Sequence, residues 1–246
     1  MPSVYLSPST QEYNLTITGQ TEEYYANLIA DAMIPYLKAS GIDYGRNTPQ
    51  MTATTSARQA NEGDYGLYLS IHSNAAGENF KGRVRGAEIY YYPESTDGLR
   101  AANIFANNYK SIYPLPDFVT VIPSSTLIEL NSTKMPSVLF ETAYHDNPED
   151  FSWLSANIRE IGKNFALSVS DYFGVPFVEP EMTAQGIVNI QSGNLNVRSG
   201  PGVSTPIIGS LQNGDTVQVI EGENEWFKIK RGNIIGYVHS RYIRAI

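Results

Sequence analysis

In VLFETAYHDN, residues 138–147, three apolar residues run directly into a carboxylate, Glu141, and an imidazole, His145, follows four positions later. A carboxylate at the end of an apolar run needs a cation, a metal ion or a raised pKa to be tolerated there. Those are the conditions under which a carboxyl group serves as a general acid or base. On an extended strand Glu141, Ala143 and His145 share one face, with Glu141 and His145 about 13 Å apart, so the chain must turn back before both can serve one centre. The alternative for His145 is a loop residue bonded to Asp146 or Asp150.

His72 ends a second apolar run, GLYLSIH at 66–72. Leu67, Leu69 and Ile71 share one face of it, which leaves Ser70 and His72 on the other. A histidine so placed is either bonded to neighbouring backbone or available as a ligand. Glu22 and Glu23 stand behind Thr21, where the pattern alone reads as an N-cap followed by carboxylates favoured by the helix dipole. The third and last histidine, His239, lies in YVHSRYI and reads as a surface or edge residue of a β module.

Other chemistries are excluded by composition. The chain has no cysteine, which removes disulfides, thiolate ligands and thiol nucleophiles. HExxH, GxSxG and GxxxxGK motifs are absent. The formal net charge is -8 with no basic run, which argues against electrostatic binding of nucleic acid. No apolar stretch approaches the roughly 20 residues of a membrane span, so membrane insertion is not expected. The opening MPSVYLSPST lacks the basic-then-apolar pattern of a secretory signal peptide.

The elements that must position these residues alternate in period. VYL (4–6), GLYLSIH (66–72), AEIYYYP (87–93) and SVLFETAY (137–144) read as strands. Residues 22–40, 99–112 and 157–172 read as helices. Strands separated by helices imply an α/β fold with an open, mostly parallel sheet, whose ligand site lies beyond the carboxyl ends of the strands. His72, Glu141 and the segment SPSTQE (7–12) meet at that edge. The organisation expected is a catalytic domain at 1–175, a proline-containing linker at 176–186, and a small all-β domain at 187–246 with glycine-marked turns.

Three segments, EEYYANLIA (22–30), YLSIHSNA (68–75) and PSVLFETAYHDNPED (136–150), resemble the zinc-dependent N-acetylmuramoyl-L-alanine amidases of the type-3 family across residues 3–173. The resemblance implies a peptidoglycan hydrolase that cleaves the amide between N-acetylmuramic acid and L-alanine. By position it implies Glu23, four residues before Asn27, and His72 as zinc ligands, and Glu141 as the catalytic general base. The family's first strand usually reads DPGHGG and supplies another histidine ligand; here the matching stretch is SPSTQE. A catalytic zinc usually keeps three protein ligands. His145 is ranked first as the replacement, Glu12 second and Gln11 third, the last because a neutral amide is a poor zinc ligand. If another group fills that place, His145 is expected to bond the oxyanion of the tetrahedral intermediate.

LNVRSGPG (195–202), IIGSL (207–211) and GYVHSRYI (236–243) resemble bacterial SH3-like domains. That resemblance implies a small barrel that keeps the catalytic domain on the cell wall. The expected partner is peptidoglycan, and the expected location is extracellular or in the cell wall. The competing reading is an amidase-like domain that has lost its metal and only binds the polymer.

Overall fold

The computed structural model describes residues 1–180, 184–223 and 225–245, and the chain divides into two compact units, Met1–Pro180 and Glu181–Ile246. Unit one runs β1 (Ser3–Pro8), α1 (Glu22–Ala39), β2 (Asp43–Arg46), α2 (Ala53–Glu62), β3 (Leu67–Asn74), β4 (Ala87–Tyr91), α3 (Thr96–Tyr109), β5 (Val119–Pro123), α4 (Ile128–Asn131), β6 (Ser137–Tyr144), α5 (Pro148–Ala156) and α6 (Ile158–Phe173).

Its six strands form one sheet in the order β2-β1-β3-β6-β4-β5. Every neighbouring pair is parallel except β4 with β6. The fold is therefore the α/β type expected, with β4 and β5 reversed at one edge. β1, β3 and β6 are buried along nearly their whole length, and this explains their continuous apolar runs. Phe105, Tyr109, Phe140 and Phe165 form the aromatic centre of the core, with Phe140 and Phe165 ring centroids 4.5 Å apart.

The helices start where the sequence supplies an oxygen acceptor. Thr21, Thr52, Ser95 and Asn147 cap α1, α2, α3 and α5 through their side chains. Ser95 moves the start of α3 three residues ahead of the expected Leu99. α2 and β5 carried no readable period: α2 buries only Ser56, Ala57 and Ala60, all small.

The start of the expected linker is tied to unit one. Phe177 stacks on Tyr36 at 5.8 Å, and the Val178 amide donates to Ser40 Oγ at 2.9 Å. Residues 181–183 of that linker lie outside the described residues, and 184–186 already belong to a strand. Pairing with one neighbouring strand, and at Gly186 with two, draws those three residues into the sheet.

Unit two comprises β7 (Ala184–Val188), β8 (Leu195–Arg198), β9 (Ile207–Leu211), β10 (Thr216–Glu223), β11 (Trp226–Arg231), β12 (Ile234–His239) and β13 (Ile243–Ala245). All its pairings are antiparallel, in the order β13-β7-β10-β11-β12-β8-β9. Val188, Val197, Leu211, Val217, Ile229 and Val238 make its core. Among the described residues, no helix is long and apolar enough to cross a membrane.

Candidate active site

A cleft of about 540 Å³ opens at the carboxyl ends of β1, β3 and β6, and Ser9, Gln11, His72, Glu129 and Glu141 are among the residues that line it. Parallel pairing sets His72 directly beside Glu141 in register. The convergence of His72 and Glu141 on one sheet edge follows from that pairing.

His72 is nearly buried and held at both ring nitrogens. Nδ1 lies 2.7 Å from Glu22 Oε1, and Nε2 lies 3.1 Å from Glu129 Oε2. Burial alone disfavours the charged imidazole, but hydrogen bonds and charge from the two carboxylates outweigh it and raise the His72 pKa well above its usual value. Both carboxylates pay the same desolvation and still fall below the usual range, because His72 bonds each of them. Asn14 Nδ2 donates to Glu22 Oε2 at 2.8 Å, and Ser7 and Tyr68 donate to Glu129 Oε1 at 2.6 and 2.7 Å.

Glu141 has the opposite character. Its Oε2 is shut off from solvent with no hydrogen-bond partner. Burial pushes its pKa up to about 8; the charge on His72 pulls it down, while Glu22, Glu88 and Glu129 push it further up. Glu88 sits opposite Glu141 on β4, with its own carboxylate engaged by Asn74, Tyr90 and Tyr144.

Two expected ligands stand elsewhere. The carboxylate that reaches His72 is Glu22, one residue before Glu23, and one helical residue is a turn of about 100°. Glu23 is partly exposed; burial and the nearby Glu12 charge raise its pKa. His145 is buried, but its Nδ1 is committed to Ser73, 2.9 Å from both the hydroxyl and the carbonyl oxygen. The segment after β6 does turn, with the His145 amide donating to Asn74 O, yet this leaves the ring off the cleft lining. Glu12 is exposed, and Gln11 lines the cleft with its Oε1 accepting from Asn14. Among the described residues, no three His, Cys, Asp or Glu side chains are arranged to hold a metal ion.

Sequence reasoning missed Glu129. It lies on a helix of four residues in STLIELNS, too short to show a period, and its only signal was a lone carboxylate between Ile128 and Leu130.

Unit two has its own cleft of about 680 Å³, lined by Asn194, Arg198, Trp226, His239, Arg241 and Tyr242 among others. The Trp226 and His239 rings lie 5.4 Å apart, and the Arg241 guanidinium sits 4.5 Å above the Tyr242 ring. His239 is thus part of an aromatic strip.

Comparison with known proteins places both units. Residues 193–244 match the family model for the bacterial SH3 domain. Over 71 residues, 28% of this chain, it is 42% identical to bacteriocin BCN5 of Clostridium perfringens, and it spans only 8% of that protein. The fold of unit one is shared with the N-acetylmuramoyl-L-alanine amidase AmiC2 of Nostoc punctiforme at 19% identity and a TM-score of 0.62, covering 70% of this chain and 97% of that one. It is shared with the catalytic domain of CwlV, an N-acetylmuramoyl-L-alanine amidase from Bacillus (Paenibacillus) polymyxa var. colistinus, at 18% identity and a TM-score of 0.62, covering 72% and 100%. The catalytic domain of the CD27L endolysin, which targets Clostridia difficile, matches at 20% identity and a TM-score of 0.57, covering 70% and 98%. The N-acetylmuramoyl-L-alanine amidase model matches residues 10–171, well over half of the chain, so this chain belongs to the N-acetylmuramoyl-L-alanine amidase family.

Proposed function

We propose that this peptidoglycan hydrolase cleaves the amide between N-acetylmuramic acid and L-alanine with the help of a zinc ion, Glu141 being the general base. The observation that carries the reading is Glu141 itself, a carboxyl group with a buried, unpartnered oxygen beside His72 on the wall of a cleft. A fold gains nothing from such a group, and a catalytic site does.

The residues at the cleft fit a zinc ion only in part. Two carboxylates held in their charged form, Glu22 and Glu129, flank one imidazole, a set that supplies charge for a cation but not the three protein ligands of a catalytic zinc. Glu22 and His72 would hold the metal. The family's first-strand histidine has no counterpart here, so Ser9 and Gln11 on the cleft wall offer only neutral oxygens for the remaining positions. Zinc, when bound, supplies Lewis acidity toward the scissile carbonyl. Glu141 Oε2 takes a proton from the attacking water and returns it to the leaving alanine nitrogen. Its pKa of about 8 suits the donating half of that cycle, and positive charge beside it lowers the value toward the accepting half. The aromatic strip of unit two, Trp226, His239 and Tyr242, serves wall attachment and places the activity in the cell wall.

A second reading, a muropeptide-binding protein without catalysis, draws on the lack of a third ligand among the described residues. One experiment decides between them. The protein is incubated with peptidoglycan, with chelator, and with zinc restored, and newly exposed L-alanine amino termini are counted. Termini that appear, vanish with chelator and return with zinc are expected. Their absence under every condition, with the protein still sedimenting with the wall, overturns the enzyme.

A further inference from the structure

The chain carries a formal net charge of -8, yet the cleft of unit two collects cations. Arg198, the last residue of β8, and Arg241, just after β12, line it together with His239, and no aspartate or glutamate does so among the described residues. Neither arginine has a carboxylate partner among the described residues, whereas Arg231 on β11 is bonded to Asp215 at 2.7 Å. Glu225, directly before β11, approaches His239 Nε2 at 3.7 Å and not an arginine. Neutral contacts orient the two side chains instead. Arg198 Nη1 donates to Thr205 O at 2.7 Å, and the Arg241 guanidinium lies over the Tyr242 ring and donates to its hydroxyl. A guanidinium has five N–H donors, so each arginine is held in place with most of them free for a ligand.

We propose that this cleft binds a peptide through its free carboxylates, with Arg198 and Arg241 as the carboxylate contacts and Trp226 as the apolar wall; in the cell wall that ligand is the acidic stem peptide of peptidoglycan. Fixed guanidinium groups grip carboxylates through paired, charge-assisted hydrogen bonds. The rest of the lining suits a peptide. Gln191, Asn194 and Asn196 are exposed and offer amide donors and acceptors to a backbone, and the Trp226 and His239 rings, 5.4 Å apart, offer an apolar surface. A long phosphate polymer, charged at every unit, needs a basic track; this chain is acidic as a whole and confines two arginines to one cleft, which favours a ligand with few charges. Unit one offers no competing carboxylate site, because its cleft is lined by hydroxyls, amides and the carboxylates Glu129 and Glu141, with no lysine or arginine among the described residues.

The wall as source of the peptide rests on the attachment proposed above; the carboxylate contacts rest on the cleft alone, so binding is read apart from hydrolysis and from attachment. The full chain is titrated calorimetrically with a synthetic stem peptide that lacks the sugar, and with it the scissile bond, and with the same peptide amidated at every carboxylate. The free-acid peptide is expected to bind at least about tenfold more tightly, the scale of one charge-assisted hydrogen bond. Arg241→Gln, at an exposed position, is expected to weaken the free-acid peptide about tenfold and to leave the amidated one within about twofold, so that the preference narrows. Arg198→Gln is expected to do the same; should it fail to fold for want of the Thr205 contact, Arg241→Gln decides alone. Equal affinity for the two peptides, or a preference that survives substitution in the folded variants, overturns the proposal. So does a soluble poly(glycerol phosphate) that binds while the free-acid peptide does not. Sedimentation with the insoluble wall is followed alongside: a chain that binds the free-acid peptide and does not sediment overturns the attachment and leaves the carboxylate site standing.

Discussion

Glu141 meets opposing demands from stability and from catalysis. Its folded-state pKa lies above its unfolded one, so folding favours the protonated form, and the stability associated with it is complete below about pH 4.5 and lost as pH rises through about 8. Glu141→Gln removes that dependence. Thermal unfolding in chelator should show the variant gaining on wild type as pH rises from about 4.5 to about 8, with the gap constant above that; the lowered carboxylates Glu22 and Glu129 lose their contribution only as pH falls, and they do so equally in both proteins. A gap independent of pH would refute a raised Glu141. The same substitution should reduce hydrolysis by at least about a hundredfold, the contribution expected of a general acid–base group. Glu22 and Glu23 make a paired prediction at this scale. Zinc affinity should collapse in Glu22→Gln and stay within about twofold of wild type in Glu23→Gln, whose side chain is partly exposed and where surface substitutions have small effects; the reverse ranking would restore Glu23 to the site.

Asp150 joins several elements of unit one. It is fully buried at the first turn of α5. It accepts from Arg85 Nε at 2.8 Å, the Gly86 amide at 3.0 Å, the Tyr113 hydroxyl at 2.7 Å and the Tyr144 amide at 3.1 Å. One carboxylate thus pins the segment entering β4 and the end of β6 to a helix start. Asp150→Ala leaves all four donors unmet and should cost about 3–5 kcal/mol, read as the shift in a urea unfolding midpoint; a change below about 1 kcal/mol would show that water replaces it. Elements differed in how legible they were. β3 and β6 announced themselves through long apolar runs because both faces are covered. α4 did not, since its position is fixed by tertiary bonds such as Ser137 to Leu130 and not by any local signal.

Taken whole, the molecule pairs a cleft lined by carboxylates with a separate unit carrying an aromatic groove, and the two are expected to fail separately. Trp226→Ala should weaken sedimentation with the insoluble wall and leave hydrolysis of a soluble muropeptide unchanged; loss of both would mean that the groove takes part in the reaction. The division of the chain into an α/β unit and an all-β unit was readable from sequence, because periodicity and turn residues are local properties. So was the meeting of His72 and Glu141 at one edge, since strand ends of a parallel sheet must converge there. The three-dimensional structure decided the rest. Whether Glu22 or Glu23 faces His72 depends on the rotation of α1, and it is Glu22 that bonds the ring. Whether His145 reaches the site depends on how the chain leaves β6, and it turns to bond Ser73 instead. Glu129 enters from 57 residues beyond His72 through a helix without a pattern. Side-chain partnerships between distant segments are set by packing, and packing is written in no single stretch of the chain.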